Sequence, residues 1–144
     1  TLQGGAAYLT SADVTFEECT FEKNTAENGA AIFAKTCKNL TMKKCTVSEN
    51  TATKGAALHV NKTPALVEAC AFTKNTAAGS GGSAIHIHGT GGKLTLKDSL
   101  IKDNVCTDKN ASYRGAVYLT NTPDDLTLEG AVVFEGNYKH ELKH

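Results

Sequence analysis

The sequence predicts an all-β protein that folds as a right-handed, single-stranded parallel β-helix of about five coils. Two short sequence motifs, which we call phrases, alternate along the chain, and each occurs five times: Gly-small-Ala-apolar and apolar-x-x-Asn. The second phrase closes at intervals of 26, 25, 29 and 33 residues, at Asn24, Asn50, Asn75, Asn104 and Asn137. A repeat of this length indicates one layer of a stack, because a single layer cannot bury its own apolar face. The interior is therefore committed to stacking, and we expect a functional site on the outside.

Apolar residues at alternate positions predict the strands of each coil. In the first repeat, one such pair is Val14 and Phe16, and the next is Cys19 and Phe21; later repeats follow the same spacing. Steps of two place one face of a strand in the core. Phe16 and Cys19 lie three positions apart instead of two, so the chain must bend between them with two consecutive side chains pointing outward. Glu17-Glu18 meets that requirement.

Charged residues alternate in sign down two outward columns, which is the second sign of in-register parallel strands. One column reads Glu17, Lys43, Glu68, Lys97, and the other reads Lys23, Glu49, Lys74, Asp103. Parallel strands lie about 4.8 Å apart, so like charges would repel down a column and opposite charges attract. Helical hairpin repeats do not predict this alternation.

The Gly-small-Ala phrase predicts another strand in each coil, with the glycine at a tight corner. Its alternation assigns an inward face to Tyr8, Ile32, Leu58, Ile85 and Tyr118. We expect the asparagines to form a stacked ladder at the opposite corner, because Asn tolerates the left-handed conformation and its amide can satisfy the turn backbone. A binding role for buried asparagines is the alternative. In the fifth repeat Leu126 and Leu128 lie one residue out of register, which a single-residue bulge would absorb.

Composition limits the partners and the domain organisation. The 15 basic and 15 acidic residues balance, so no long-range field favours nucleic acid or an anionic membrane. No apolar run reaches the roughly 20 residues of a membrane span, so none is expected in this segment, and there is no signal-peptide pattern. Because the first residues already lie inside a repeat, we expect residues 1–144 to be a single repeat domain and a fragment of a longer chain.

The paired phrases resemble the Gly-Gly-Ala-x and Phe-x-x-Asn repeats of the chlamydial polymorphic outer membrane proteins and related adhesin-like β-helices. The best matches are Gly4-Gly5-Ala6-Ala7, Phe21-Glu22-Lys23-Asn24, Phe72-Thr73-Lys74-Asn75 and Phe134-Glu135-Gly136-Asn137. Only the first repeat has Gly-Gly-Ala at its corner, and two of the five Asn phrases lack Phe. In that family the repeats form the passenger of a surface autotransporter that contacts host cells. The resemblance implies a surface β-helix and an adhesin, not an enzyme.

Three of the five cysteines, Cys19, Cys45 and Cys70, share one inward column. Parallel Cβ vectors about 4.8 Å apart are slightly too distant for a disulfide, so reduced, buried thiols are the preferred interpretation and bridges the alternative. The column holds no His, and no Cys-x-x-Cys pair occurs, which disfavours a metal site there. Cys37 and Cys106 fall in predicted turns, where we expect them to be more exposed and unpaired.

His59 and His86 occupy one outward column, and His88 continues the same face. Three imidazoles on one pleated face could ligate a divalent metal. Because no Asp or Glu is predicted beside them, we prefer a His ladder on a solvated strand and expect no metal and no cofactor. An apolar strip should complete this flank, either as a contact surface or covered by a segment outside the fragment. It comprises Leu9, Phe33 and Leu119 with Ala7, Ala31, Ala57 and Ala84.

Insertions in solenoids often gather on the binding face, which directs attention to the longest one, residues 105–114. Tyr113 and Arg114 are its candidate contact residues, and an idle solvated insertion is the alternative. Three glycosylation sequons lie in predicted turns, at Asn39, Asn61 and Asn110, and they support secretion weakly.

Three functions compete on this sequence. The first is a surface or secreted adhesion or recognition module, whose partners would be proteins on a host cell or matrix. The second is a structural rod segment of an extracellular fibre, coat or larger assembly, whose partners would be further repeats of the same chain. The third, glycan-active enzyme chemistry, is disfavoured because the acids alternate with Lys, the sole arginine is Arg114, and no nucleophile-base-orienter set emerges.

Overall fold

In the computed structural model, which describes residues 3–79, 81–108, 115–120 and 125–139, the chain is a right-handed parallel β-helix. Twenty strands form four parallel sheets of five strands, and each sheet takes one strand from every coil. The predicted all-β solenoid of about five coils is confirmed. Within the described ranges, no helix has the length and apolar character needed to cross a bilayer.

The four sheets are numbered in the order in which the chain visits them. The first contains β1 (Ala7–Thr10), β5 (Ile32–Lys35), β9 (Leu58–Asn61), β13 (Ile85–His88) and β17 (Val117–Leu119). The second contains β2 (Asp13–Glu17), β6 (Asn39–Lys43), β10 (Pro64–Glu68), β14 (Lys93–Lys97) and β18 (Leu126–Glu129). The third contains β3 (Thr20–Glu22), β7 (Thr46–Ser48), β11 (Ala71–Thr73), β15 (Leu100–Lys102) and β19 (Val133–Glu135). The fourth contains β4 (Thr25–Asn28), β8 (Thr51–Lys54), β12 (Thr76–Ala77), β16 (Val105–Cys106) and β20 (Tyr138–Lys139).

The coils turn through residues in the left-handed backbone conformation. The predicted bend between the second and third sheets is present, and Glu18 stands there with φ 53°. At the next corner the left-handed residue is the one before each asparagine, such as Lys23 at φ 56°, and not the asparagine as expected. The reason is that the Asn side chain bonds along the stack, which leaves the preceding, solvent-facing residue to make the turn.

The fourth sheet was not predicted, because the residues after each asparagine were interpreted as loops. They begin as strands that continue the register set by the Asn ladder, for example Thr25 with Thr51. Small side chains fill their inward positions: Ala26, Ala52, Ala77 and Cys106. The insertion at residues 105–114 therefore starts with a strand, β16.

Two of the five predicted inward positions of the first sheet are wrong. Tyr8 pairs with Phe33 and Tyr118 pairs with His86, so both tyrosines face outward. The prediction aligned Gly5 with Gly29, whereas the hydrogen bonds align Gly4 with Gly29. The Gly4 N–H donates to the Asn28 carbonyl, as the Gly29 N–H donates to the Lys54 carbonyl. The register is therefore set by backbone hydrogen bonds between coils, and the position of a glycine in the repeated motif does not determine it.

Most of the predicted apolar strip lies in the core, and the register change accounts for this at Ala7, Leu9 and Leu119. Leu9 and Leu119 pack against the core cluster, as does Ala7, while Ala31, Ala57 and Ala84 are fully buried members of it. Of the strip, only Phe33 keeps its outward position, opposite Tyr8 and His59. The strip is therefore not an exposed contact surface.

The fifth coil contains one extra residue, at a corner rather than inside a strand. Leu126 and Leu128 pair in register with Leu94 and Leu96. The additional residue falls at the following corner, where Gly130 adopts φ 63° and the Ala131 N–H donates to Asp98 Oδ1 at 2.9 Å. A corner absorbs the insertion at lower cost because it breaks no ladder hydrogen bonds.

The core runs along the axis of the solenoid and is made of stacked apolar side chains. Among the described residues, the large side chains below 2 % exposed include Phe72, Ile32, Leu40, Met42, Leu58, Ile85, Ile87, Leu94, Leu96, Ile101, Val47, Val60 and Val67. Each contributes about 1.5–3 kcal/mol by leaving water. The stacking of coils therefore supplies the burial that no single coil could provide.

Candidate functional site

The asparagines lie in one continuous ladder inside a corner of the solenoid. Asn50 Oδ1 accepts the Asn24 backbone N–H at 3.0 Å and its Nδ2 at 2.9 Å. The same pair of bonds recurs from Asn50 to Asn75, from Asn75 to Asn104 and from Asn104 to Asn137. The three central side chains are 0 % exposed. Their bonding capacity is used within the corner, so the ladder is structural and offers no group to a ligand.

The structure brings Cys19, Cys45 and Cys70 together in one column, as free thiols. The Cys45 N–H donates to Cys70 Sγ at 3.3 Å, and the Cys70 N–H donates to the Ser99 hydroxyl at 3.1 Å. Burial raises the pKa of the Cys70 thiol to about 11. The Cys70 thiol therefore stays protonated, and all three side chains act as small, hydrogen-bonding residues of the stack.

The remaining two cysteines differ from expectation, because both are buried. Cys37 is 5 % exposed at a corner, where its N–H donates to the Thr63 hydroxyl at 2.9 Å. Cys106 is 2 % exposed in β16, in the column of small residues that includes Ala77. Their predicted exposure is wrong, because the fourth sheet and the corners are part of the stack.

Five rings form a column on the outer face of the first sheet, which we call the imidazole column: Tyr8, Phe33, His59, His86 and Tyr118. Successive ring centroids lie 5.5, 4.8, 4.5 and 5.0 Å apart. The two imidazoles occupy the middle of the column and are tilted by 31° to one another. Aromatic packing above and below fixes where both imidazoles lie.

The two imidazoles are buried, which contradicts the predicted solvated ladder. His59 and His86 are each 5 % exposed. The corner segments between the fourth and first sheets lie against them: a Cβ added to Gly55 would stand 2.8 Å from His86 Cβ, and one added to Gly81 would stand 3.3 Å from His86 Nδ1. The chain's own corners therefore cover His59 and His86.

Burial leaves both imidazoles neutral and without partners. None of their four ring nitrogens has a hydrogen-bond partner. Desolvation, with smaller repulsion from neighbouring imidazoles and Lys54, lowers the pKa of His59 to about 3. Desolvation, with repulsion from His88 and Lys54, lowers the pKa of His86 to about 4. Neutral imidazole is the form that can bind a metal.

His88 lies on the same face but at its exposed edge. Its ring centroid is 6.0 Å from that of His86, and its Nδ1 is 3.0 Å from Thr120 Oγ1. Among the described residues, no three His, Cys, Asp or Glu side chains already converge on one point. The structure thus brings the three predicted imidazoles onto one face without closing them around a centre.

A groove of about 330 Å³ lies on the outer face of the second sheet. We call it the threonine groove, and its lining is Asn39, Leu40, Thr41, Pro64, Ala65, Leu66, Lys93 and Thr95. Leu66 pairs with Thr41 on one side and Thr95 on the other, so an apolar side chain interrupts a threonine column. This groove was not predicted from the sequence. The signal that could have indicated it is Leu66, an apolar residue at an outward position of β10, where the neighbouring coils carry threonine.

Ion pairs border the threonine groove. Glu68 bridges Lys97 at 2.7 Å and Lys43 at 3.9 Å, and the Lys97 hydrogen bond lowers the pKa of the Glu68 carboxyl. The first predicted charge column therefore pairs from coil to coil over Lys43, Glu68 and Lys97. In the second column Lys23 instead contacts Glu22 of its own coil, at 3.8 Å.

The predicted glycosylation and loop residues are scattered. Asn39 is the exposed first residue of β6, and Asn61 is the half-buried last residue of β9, so both lie on strands rather than in turns. Asn110, Tyr113 and Arg114 lie outside the described residues.

One comparison with known proteins gives a match that agrees with this geometry. The family model described as "right handed beta helix region" matches residues 2–133. Searches of curated proteins and of solved structures gave no match. The matched span covers nearly all of the repeats, from the first coil to the start of β19. The chain therefore belongs to the right-handed β-helix family.

Proposed function

We propose that this chain is a non-enzymatic, extracellular or cell-surface module that recognises a protein partner through the threonine groove. The observation that carries the proposal is the groove itself, a concave site with a volume of about 330 Å³ on the outer face of the second sheet. Binding sites are typically concave, with an apolar floor and a few polar groups that orient the ligand. Leu66 and Pro64 provide the apolar part, and Thr41, Thr95 and Lys93 provide the polar part.

The rest of the described molecule supports this choice of surface by elimination. The side chains of the Asn ladder and the cysteine column are used in stacking, and His59 and His86 of the first sheet are covered by the chain's own corners. A peptide segment of a host-cell or matrix protein, with one apolar side chain against Leu66 and acceptors towards Lys93, fits the chemistry of the groove. The resemblance to surface adhesins points to the same class of partner.

The carboxylates favour a non-enzymatic role. Glycan-cleaving enzymes need a carboxylic acid whose pKa is raised so that it can protonate a leaving group. Glu68, beside the groove, has a lowered pKa because Lys97 hydrogen-bonds it, so it is ionised at neutral pH. Such a carboxylate can support ion pairing but not general-acid catalysis.

A matched pair of substitutions tests the proposal. Leu66→Thr continues the threonine column and removes the apolar floor, and Leu100→Thr makes the same change at a half-buried outer position of the third sheet. We expect Leu66→Thr to weaken binding of the purified chain to cells or matrix about tenfold, since burying a leucine contributes about 1.5–3 kcal/mol. Leu100→Thr should bind like the parent. Equal binding by both variants, or release of product from a glycan panel, would contradict the proposal.

A structural rod is the second candidate, and the end coils favour it. Large apolar side chains are exposed on the last coil, where Leu128 is 52 %, Val133 46 %, Phe134 44 % and Tyr138 58 % exposed. An additional coil stacked on that end would cover them, as neighbouring coils cover their equivalents inside the stack. Sedimentation over a range of concentrations separates the two functions, because a rod segment self-associates or pairs with added repeats whereas a recognition module stays monomeric.

A further inference from the structure

The imidazole column has features that neither stacking nor recognition through the threonine groove requires. His59 on β9 and His86 on β13 are in register, with ring centroids 4.5 Å apart. His88 stands two residues along β13 on the same face, and its ring is 6.0 Å from that of His86. A cross-strand pair and a pair two residues apart on one strand place three imidazoles at the corners of a triangle.

Two of the three imidazoles have buried nitrogens that nothing in the fold satisfies. A neutral imidazole carries one N–H donor and one acceptor nitrogen. All four ring nitrogens of His59 and His86 are buried and lack a hydrogen-bond partner. Buried polar groups in native proteins are almost always paired, and an orphan costs about 1–3 kcal/mol. Phe33 fills the same column at no such cost, so stacking alone does not account for imidazoles here.

The third imidazole lies where a threonine hydroxyl can hold it in the tautomer of a metal ligand. The Thr120 hydroxyl oxygen is within hydrogen-bond distance of the Ile87 carbonyl, at 3.1 Å, and of His88 Nδ1, at 3.0 Å. When the hydroxyl donates to the carbonyl, His88 Nδ1 carries the hydrogen of the second contact. This assignment leaves the Nε2 lone pair free. Metal-binding histidines usually donate their other ring N–H to an oxygen in this way.

We propose that His59, His86 and His88 bind one divalent transition-metal ion of the imidazole-preferring class, such as Zn²⁺, Ni²⁺ or Cu²⁺. Three histidines leave a fourth position open, for water or for a side chain of a partner. Because the three side chains do not already converge among the described residues, His59 and His86 rotate towards His88 on binding. Gly55 and Gly81, which lie against His86, have no side chains to obstruct the rotation. The Lys54 ammonium repels the ion and limits its affinity.

Metal titration of the untagged chain, stripped with a chelator, tests the proposal. We expect one Zn²⁺ per chain by calorimetry, and one Co²⁺ with a visible absorption band typical of nitrogen ligands. His88→Ala, at an exposed position, should lower the affinity at least tenfold. Thr120→Val should lower it about tenfold by releasing the His88 ring. His59→Phe, which copies Phe33 of the neighbouring coil, should also lose binding.

A control variant separates this site from the other two histidines of the sequence. Combined His140→Ala and His144→Ala substitutions should leave stoichiometry and affinity unchanged. The proposal is overturned if the chain binds no Zn²⁺ at sub-millimolar concentration, or if binding persists in His88→Ala. Loss of binding in the control variant would likewise overturn it. Should His59→Phe fail to fold, as judged by circular dichroism, the exposed His88→Ala and Thr120→Val variants still decide the outcome.

Discussion

Lowering the pH from 6.5 to 5 is expected to remove about 3 kcal/mol of folding free energy through His59 and His86 alone. Their pKa values in the folded chain are lowered to about 3 and about 4, from 6.5 in the unfolded chain. Between pH 6.5 and 5 the unfolded chain therefore binds protons that the folded chain does not. Stability contributed by the neutral imidazoles is present above pH 6.5 and is lost as the pH falls.

The magnitude follows from the size of that pH interval. Each imidazole changes the free energy of unfolding by at most about 1.4 kcal/mol per pH unit. Over the interval the change is about 1.6 kcal/mol for each, because the unfolded imidazole is already half protonated at pH 6.5. Two imidazoles give about 3 kcal/mol, a large part of the 5–15 kcal/mol that typically stabilises a domain. The groups facing the pair are Lys54 and His88, both of which oppose protonation. The Lys97 hydrogen bond lowers the pKa of the Glu68 carboxyl, so this group adds to the loss of stability as the pH falls further.

Urea unfolding at pH 6.5, 6 and 5, in the presence of a chelator, measures the effect. The matched variant combines His59→Phe and His86→Phe, which extends the ring packing of Phe33 and removes both titrating groups. Its stability should change little over this interval, whereas the parent loses about 3 kcal/mol. His88→Phe, at the exposed position, should keep most of the pH dependence of the parent, because burial is the main cause of both pKa shifts. The reasoning is refuted if the parent and the double variant lose stability equally.

Two further substitutions test the ladder and a corner. Asn75→Ala removes the acceptor of the Asn50 N–H and both donors of a fully buried amide, so we expect a loss of about 3 kcal/mol or more by urea unfolding. Asn24→Ala, at the half-buried end of the ladder, should cost clearly less, and equal losses would contradict a structural role that depends on burial. Gly55→Ala introduces a Cβ at φ 55° only 2.8 Å from His86 Cβ, so we expect a loss of about 1–3 kcal/mol in thermal or urea unfolding. Gly91→Ala, at φ 88° with open space around it, measures the backbone cost alone and should be milder.

Some features could be predicted because they depend on neighbours at fixed spacing. The alternation Val14, Phe16 and the outward pair Glu17-Glu18 are local patterns, and the strands and bend appear where they indicate. The thiol column at Cys45 and Cys70 followed from the same spacing. The fourth sheet could not be predicted, because its strands are short and their inward residues are small. Such strands show no alternation of large apolar side chains in the sequence.

The candidate sites were less predictable than the fold. The three histidines were placed on one face by spacing alone, yet their burial depends on Gly55 and Gly81 lying against them. The threonine groove depends on Leu66 meeting Thr41 and Thr95 from two other coils. Neither arrangement is a property of one segment.

The sequence by itself determined that coils stack in parallel with matching side chains aligned, because Asn, apolar and charged residues recur at intervals that only such a stack satisfies. The tertiary structure alone decided which glycine aligns with which, since that register is set by hydrogen bonds between coils. It also decided that His59 and His86 are buried, because their cover comes from corners of neighbouring coils that are distant along the chain.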